Sequence, residues 1–100
     1  NYLIGEYPAE GWNQDFARKA LRWERRMEFA MEGDRFFDLV RWGIAEETMN
    51  SYIVVEQNKR VYYRGTRFIG GRDEYLPIPN AQYNFSEGNY VQNPGYGKFN

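Results

Sequence analysis

Two pairs of carboxylates stand one helical turn apart in the first half of the 100-residue chain, Glu28 with Glu32 and Asp34 with Asp38. A glycosidase needs two carboxyl groups that flank the bond it cleaves. Residues at positions i and i+4 share one helix face and do not enclose a sugar, so such carboxylates are usually flanks that pair with neighbouring arginines. A glycoside hydrolase stays open as an alternative, but we assign no catalytic residue.

The chain contains no cysteine and no histidine. Within this chain, that composition excludes disulfides, thiolate nucleophiles, zinc sites of the Cys/His kind and the Ser-His-Asp triad. No EF-hand spacing occurs, and Gly70-Gly71 is not followed by the Gly-Lys-Ser/Thr of a phosphate loop. We therefore predict no metal and no cofactor.

The stretch Arg60–Ile69 interleaves basic and aromatic residues, as single-stranded nucleic-acid sites do. The pattern of an RNA recognition motif is incomplete there, because the second aromatic-glycine step and the βαββαβ order are missing. The whole chain carries 13 basic and 14 acidic residues, so we predict no nucleic-acid partner. The rings of Tyr62, Tyr63 and Trp42 could stack on sugars, although filling a core or an interface is the commoner use of such rings.

Three helices are expected to position these residues. The first is predicted over about residues 13–32, with Asn13 as its N-cap and Gly33 after its last turn. Further helices are predicted over about residues 34–43 and 45–57. Apolar residues outside the main stripe of the first helix indicate that it lies between layers rather than on an outer surface. That stripe comprises Phe16, Ala20, Trp23, Met27, Ala30 and Met31.

Ion pairs are predicted along the first two helices, since Arg25 precedes Glu28, and Asp38 precedes Arg41, by three residues. If the pair of Arg25 and Glu28 is buried, replacing either residue with alanine should destabilise the fold by a few kcal/mol. If the pair is solvated, the change should be close to zero.

The pattern changes after about residue 59, and residues 59–100 are predicted to be extended or looped. Val61–Ile69 is rich in aromatic and β-branched residues and precedes a glycine turn, which favours a short β pairing. Pro77 and Pro79 favour an extended backbone around them. We therefore predict a mainly α fold with a short β pairing and an irregular C-terminal region rich in aromatic residues, Pro and Gly.

Three blocks resemble, in the same order, the C-terminal signature of the SusD/RagB family of bacterial nutrient-binding lipoproteins. The first block matches at Trp23–Arg26, Glu28, Glu32-Gly33, Arg35–Leu39 and Arg41–Gly43. The second block is Tyr75–Pro79 and the third is Gln92–Tyr96. Together they span about residues 16–96, and three ordered blocks are more specific than one. Because the chain also begins without methionine, we expect residues 1–100 to be the C-terminal part of a single, longer domain of this kind.

The resemblance implies a mainly α-helical fold in which TPR-like helix pairs support a less regular region. It implies a non-catalytic protein on the outward-facing surface of the outer membrane of Bacteroidetes-type bacteria. An N-terminal lipid anchor outside this chain would hold it there, and no apolar run long enough to span a membrane occurs in the chain.

The resemblance also implies binding of oligosaccharides or polysaccharides, or of peptides in some branches, and their delivery to a SusC-like TonB-dependent transporter. The sugar-binding aromatic residues of the family lie mostly outside this signature, so the ligand-binding residues stay unknown. If any part of this chain touches ligand or transporter, we expect it to be the loop between Tyr62 and Arg72. The alternative is a helical protein-interaction module, or a peptide-binding relative, without a sugar ligand.

Overall fold

The structure is a computed structural model that describes residues 5–99, and it is mainly helical. Its helices are α1 (Gln14–Glu28), α2 (Arg35–Arg41), α3 (Ala45–Glu56) and α4 (Asn80–Phe85), with a 3-10 turn at Val61–Tyr63. The prediction of a mainly α fold is confirmed. The chain divides after Arg35 into two compact units.

Helix α1 begins where the sequence predicts but ends earlier. The Asn13 side chain accepts a hydrogen bond from the Phe16 N–H at 2.9 Å, which satisfies one of the free donors at the helix start. The helix ends at Glu28 rather than at Glu32, because Met31 adopts a positive φ of 69° that no α-helix accommodates. The segment up to Gly33 is therefore a series of turns.

The apolar stripe of α1 is mostly exposed in the first unit. Ala20 is buried, whereas the exposed fraction is 50% at Trp23, 58% at Met27 and 102% at Met31. The aromatic contacts instead lie at the start of the helix, where the rings of Trp12 and Phe16 are 5.4 Å apart.

Tyr7 joins that group of rings from the preceding loop, at 5.9 Å from Trp12 and 6.1 Å from Phe16. Its hydroxyl donates a hydrogen bond to Glu24 Oε1 at 2.7 Å, and this bond raises the pKa of Tyr7 above its ordinary value. Tyr7 therefore joins the entry loop to the C-terminal half of α1.

The second unit has a small core at the junction of α2 and α3. Its buried residues are Leu39, Ala45, Ile53 and Phe68. Partly buried residues pack around them, namely Phe36, Val40, Ile44 and Met49. Gly43, with a φ of 71°, lets the chain leave α2, and the Ile44 N–H then bonds to the Leu39 carbonyl at 3.0 Å.

No strand forms within residues 5–99, so the predicted short β pairing around Val61–Ile69 is wrong for the described chain. Asn50 of α3 takes the place of a partner strand. Its side-chain amide donates to the Phe68 carbonyl at 3.0 Å and accepts from the Phe68 N–H at 2.9 Å. One side chain thus satisfies both backbone groups that a neighbouring strand would otherwise have to bond.

Helix α4 lies in the region predicted to be extended or looped. It follows Pro79, whose φ of −64° suits a helix start and whose carbonyl accepts from the Gln82 N–H at 3.0 Å. Within residues 5–99, no helix is long and apolar enough to cross a membrane.

Candidate functional site

The four carboxylates that could have formed catalytic pairs differ in burial. Glu28 and Glu32 are exposed. Asp38 is buried, with an exposed fraction of 6%, and accepts from Arg41 Nη2 at 2.8 Å, as the i, i+3 spacing predicts. Asp38 therefore holds the end of α2 together. Within residues 5–99, no cluster of three or more acidic side chains is arranged to hold a metal ion.

Glu28 lies on the surface of α1, so we expect Glu28→Ala to change the free energy of unfolding by less than about 1 kcal/mol. Arg25 is partly buried and its guanidinium lies 4.7 Å from the centre of the Phe29 ring, a contact that the substitution leaves in place. Urea denaturation of the intact protein measures the change. A loss of several kcal/mol would contradict surface exposure, since only a buried ion pair costs that much to break.

The loop of residues 60–72 is fastened to helix α3 at both ends. At its start, the Glu56 carboxylate lies 3.4 Å from Lys59 Nζ and 3.7 Å from Arg60 Nε. Towards its end, Phe68 is buried in the core, its ring 6.2 Å from that of Phe36, with its backbone bonded to Asn50 as described above. Between these anchors, residues 61–67 are exposed except for Tyr63, which is half-buried.

An ion pair closes the loop on its C-terminal side. Arg72 bonds Asp73 with two nitrogens, Nε at 2.6 Å and Nη2 at 3.1 Å. Asp73 Oδ2 also accepts from the Ile69 N–H at 2.7 Å. The hydrogen bonds from Arg72 and then from Ile69 lower the pKa of Asp73 below its ordinary value, because they stabilise the charged carboxylate.

The lowered pKa of Asp73 predicts a stability that falls in acid. The contribution should be fully present above about pH 5 and be lost as the pH falls through the folded-state pKa, which lies below the unfolded value of ~3.9. We expect the difference in unfolding free energy between the native protein and Asp73→Asn to be constant above pH 5 and to shrink below it. A matched control is Asp15→Asn, whose side chain is 96% exposed. If the difference in unfolding free energy between the native protein and Asp73→Asn stayed the same down to about pH 2, the lowered pKa of Asp73 would be contradicted.

A tyrosine cluster, which we define as Tyr52, Tyr62 and Tyr63, joins helix α3 to the start of the loop. The rings of Tyr62 and Tyr63 lie 4.6 Å apart, and Tyr63 meets Tyr52 edge-on at 6.2 Å. Arg60 Nη1 donates to the Tyr62 hydroxyl at 3.0 Å. Burial, followed by the neighbouring Tyr52, raises the pKa of Tyr63, whereas Tyr62 is 68% exposed and offers a ring to solvent.

Two arginines follow the cluster, and we call Arg64 and Arg67 the arginine pair. Both are exposed, and their side chains make no ion pair or hydrogen bond with any residue between 5 and 99. The turn at Gly65, with a φ of 76°, lies between them, and the Thr66 hydroxyl bonds back to the Tyr62 carbonyl at 3.4 Å. This turn keeps the arginine pair within a short stretch of the tyrosine cluster.

Trp42, the third ring with a possible sugar contact, is partly buried and has the Arg41 guanidinium 5.8 Å from its ring centre. This position fits packing and not an open platform.

The second and third sequence blocks bind each other through side chains. Gln92 Oε1 accepts from the Ile78 N–H at 2.8 Å, and Gln92 Nε2 donates to the Ile78 carbonyl at 3.0 Å. Asn93 Nδ2 donates to the Leu76 carbonyl at 2.7 Å, and the Tyr96 hydroxyl donates to the Tyr75 carbonyl at 2.6 Å. Three side chains of one block therefore hold the backbone of the other in its extended form. These contacts were not predicted from the sequence.

A groove of about 460 Å³ lies beside these contacts, with Tyr83, Tyr90, Tyr96 and Phe99 among its walls. The rings of Tyr83 and Phe99 stack at 4.2 Å. The amides of Gln92 and Asn93 also line this groove, but their hydrogen bonds are already used on the backbone of the second block. The groove therefore offers rings beside two amides that already bond the backbone, together with the side chain of Lys98.

The comparisons with known proteins agree with the three sequence blocks. A family model described as the SusD family matches residues 2–96, a range that contains all three blocks. A comparison with curated proteins gives no match. Because the family model spans nearly the whole sequence, the resemblance stated from the three blocks is confirmed, and the chain belongs to the SusD family.

Proposed function

We propose that this chain is the C-terminal part of a single domain that binds glycans, without transforming them, at the outward-facing surface of an outer membrane. The domain would pass oligosaccharides to a SusC-like TonB-dependent transporter, and a lipid anchor outside this chain would hold it to the membrane. The observation that carries the proposal is the family match over residues 2–96, because the SusD family implies nutrient and glycan binding in polysaccharide uptake.

One feature of the second unit supports a binding role. Its loop of residues 60–72 is anchored on a helical scaffold and presents exposed rings, and such rings are the usual contact material of sugar and protein interfaces. The family is also generally non-catalytic, and neither pair of carboxylates forms a cleft around a substrate in the described residues.

Calorimetry on the full-length protein, purified without its lipid, tests the proposal. The ligands are plant and host oligosaccharides of four to six sugars, and a set of peptides tests the alternative of a peptide-binding relative. We expect binding of at least one glycan class with a Kd of about 1 mM or tighter. Chromatography of the mixture after a day should show the glycan unchanged. Binding of peptides alone, or release of shorter sugars, would contradict the proposal.

The transporter partner is tested in the cell envelope. Solubilising the membrane in mild detergent and purifying the full-length protein should bring down a TonB-dependent barrel in about equal amount. Recovery of the protein without any barrel, under conditions that preserve other outer-membrane complexes, would contradict delivery to such a transporter.

A further inference from the structure

We propose that the tyrosine cluster and the arginine pair form a contact site for acidic sugars, in which Tyr62 stacks on a sugar ring and Arg64 and Arg67 bind its carboxylate or sulfate group. The proposal deepens the glycan-binding function given above and rests on it. It names a ligand class, sugars that carry uronate or sulfate ester groups, and a place in the chain that contacts them.

Tyr62 is prepared for stacking before any ligand arrives. One side of its ring meets Tyr63 at 4.6 Å, and its hydroxyl is held by Arg60 at 3.0 Å. The remaining surface is open, since 68% of the residue is exposed. A ring that is already held loses little conformational freedom on binding, so more of the stacking energy appears as affinity.

The charge of the loop differs from that of the whole chain. Residues 56–67 contain the four cations Lys59, Arg60, Arg64 and Arg67 against the single carboxylate of Glu56, although the chain as a whole has a net charge of −1. Glu56 is already shared by Lys59 and Arg60 at 3.4 and 3.7 Å. The arginine pair is therefore left for an external anion.

Arginine suits the anions that acidic sugars carry. Its planar guanidinium presents parallel N–H donors that match a carboxylate or a sulfate with two hydrogen bonds. A neutral sugar would use the ring of Tyr62 but would gain nothing from two unpaired cations. The same loop lacks the extended basic surface that a nucleic acid requires, because the cations lie within a few residues of one another.

The C-terminal groove is the weaker candidate for this role. Its amides, Gln92 and Asn93, already hold Ile78 and Leu76. The loop therefore has two free guanidinium groups close in sequence to an exposed ring, whereas the groove has the single cation Lys98 among its rings.

The test compares two ligands that differ only at their carboxyl groups, tetragalacturonate and its fully methyl-esterified, neutral form. Calorimetry on the full-length protein should give at least tenfold tighter binding of the acid form, and that preference should shrink as salt rises from about 50 to 500 mM. Arg64→Gln with Arg67→Gln should remove most of the preference while leaving the weaker binding of the neutral form. Tyr62→Ala should weaken both forms.

A matched control is Arg18→Gln, another exposed arginine, whose side chain is 62% exposed on α1. This substitution should change neither the affinity for the acid form nor the affinity for the neutral form. Since Tyr62, Arg64 and Arg67 are all exposed, thermal melting of the variants should match that of the native protein, which separates a lost contact from a lost fold.

Several outcomes would overturn the proposal. Equal binding of the acid and neutral forms would contradict the proposed site. Full preference for the acid form in the variant that lacks both Arg64 and Arg67 would contradict it as well. Both outcomes would leave the proposed glycan binding in place. If the double variant instead loses the copurifying transporter and keeps its preference for the acid sugar, the loop is a protein contact. Absence of binding to every glycan would contradict the proposed function itself.

Discussion

Phe68→Ala should lower the free energy of unfolding by about 3–5 kcal/mol, the usual effect of removing a large aromatic side chain from a core. Phe68 is 8% exposed and belongs to the small core with Leu39 and Ile53. Its ring also meets Phe36 edge-on at 6.2 Å, a contact that adds to the burial. With so few buried residues in the second unit, the neighbouring side chains have little means of filling the resulting cavity.

The substitution should also release the loop. Phe68 places its own backbone within reach of Asn50, and the two hydrogen bonds between them depend on that position. We therefore expect the amide of residue 68 to exchange with solvent much faster in the variant, as measured by hydrogen exchange. The tyrosine cluster on the same loop should lose its fixed geometry at the same time.

Phe37→Ala is the matched control, because it removes the same side chain from the same part of the fold. Phe37 is 71% exposed, and its ring lies 6.2 Å from that of Phe36. Removing the Phe37 ring should lower the free energy of unfolding, measured by urea denaturation, by less than about 1 kcal/mol. Similar effects of the two substitutions would show that Phe68 does not anchor the loop in the core.

Gln92→Ala should lower the free energy of unfolding by about 2–3 kcal/mol, which is a large effect for a polar residue outside the core. The Gln92 side chain bonds both backbone groups of Ile78, and its Oε1 also accepts from the Asn93 N–H at 2.9 Å. Removing it leaves partly buried backbone groups without partners. The flanking residues Pro77 and Pro79 have no N–H and cannot form replacement ladder bonds.

Two further variants test whether the hydrogen bonds of Gln92 to the backbone cause this effect. Gln92→Glu keeps an oxygen to accept from Ile78 but replaces the N–H that reaches the Ile78 carbonyl with a second acceptor oxygen, so it should also destabilise the fold. Gln82→Ala on α4 removes an exposed glutamine and should change stability by less than about 0.5 kcal/mol. Equal effects of Gln92→Ala and Gln82→Ala would mean that the contact between the two blocks contributes nothing to the fold.

Local patterns predicted the helical part of this fold. The apolar period of 3.6, the Asn13 cap and the glycine after α2 depend on residues within one or two turns of each other, so they are visible along the chain. The end of α1 was misplaced, because the positive φ of Met31 has no counterpart in its residue type.

The candidate site was predicted only in outline. The sequence pointed to the loop between Tyr62 and Arg72 and to the stacking capacity of Tyr62 and Tyr63, since aromatic and basic residues alternate there. Its anchoring was not predicted, because Asn50 lies 18 residues away from Phe68 and nothing in the local pattern marks an asparagine as the partner of a distant backbone. The predicted β pairing was wrong for the same reason.

The sequence by itself determined the family, the helical class and the absence of cysteine and histidine chemistry, because these depend on residue identity and on short-range spacing. Only the tertiary structure decided what Tyr75–Pro79 and Gln92–Tyr96 do, since side chains of the third block bond to the backbone of the second across 14 to 21 residues. The tertiary structure also decided which charged side chains have a partner of opposite charge. Asp38 and Glu56 bond neighbouring cations, whereas Arg64 and Arg67 are left to solvent, and pairing of this kind depends on distance in space.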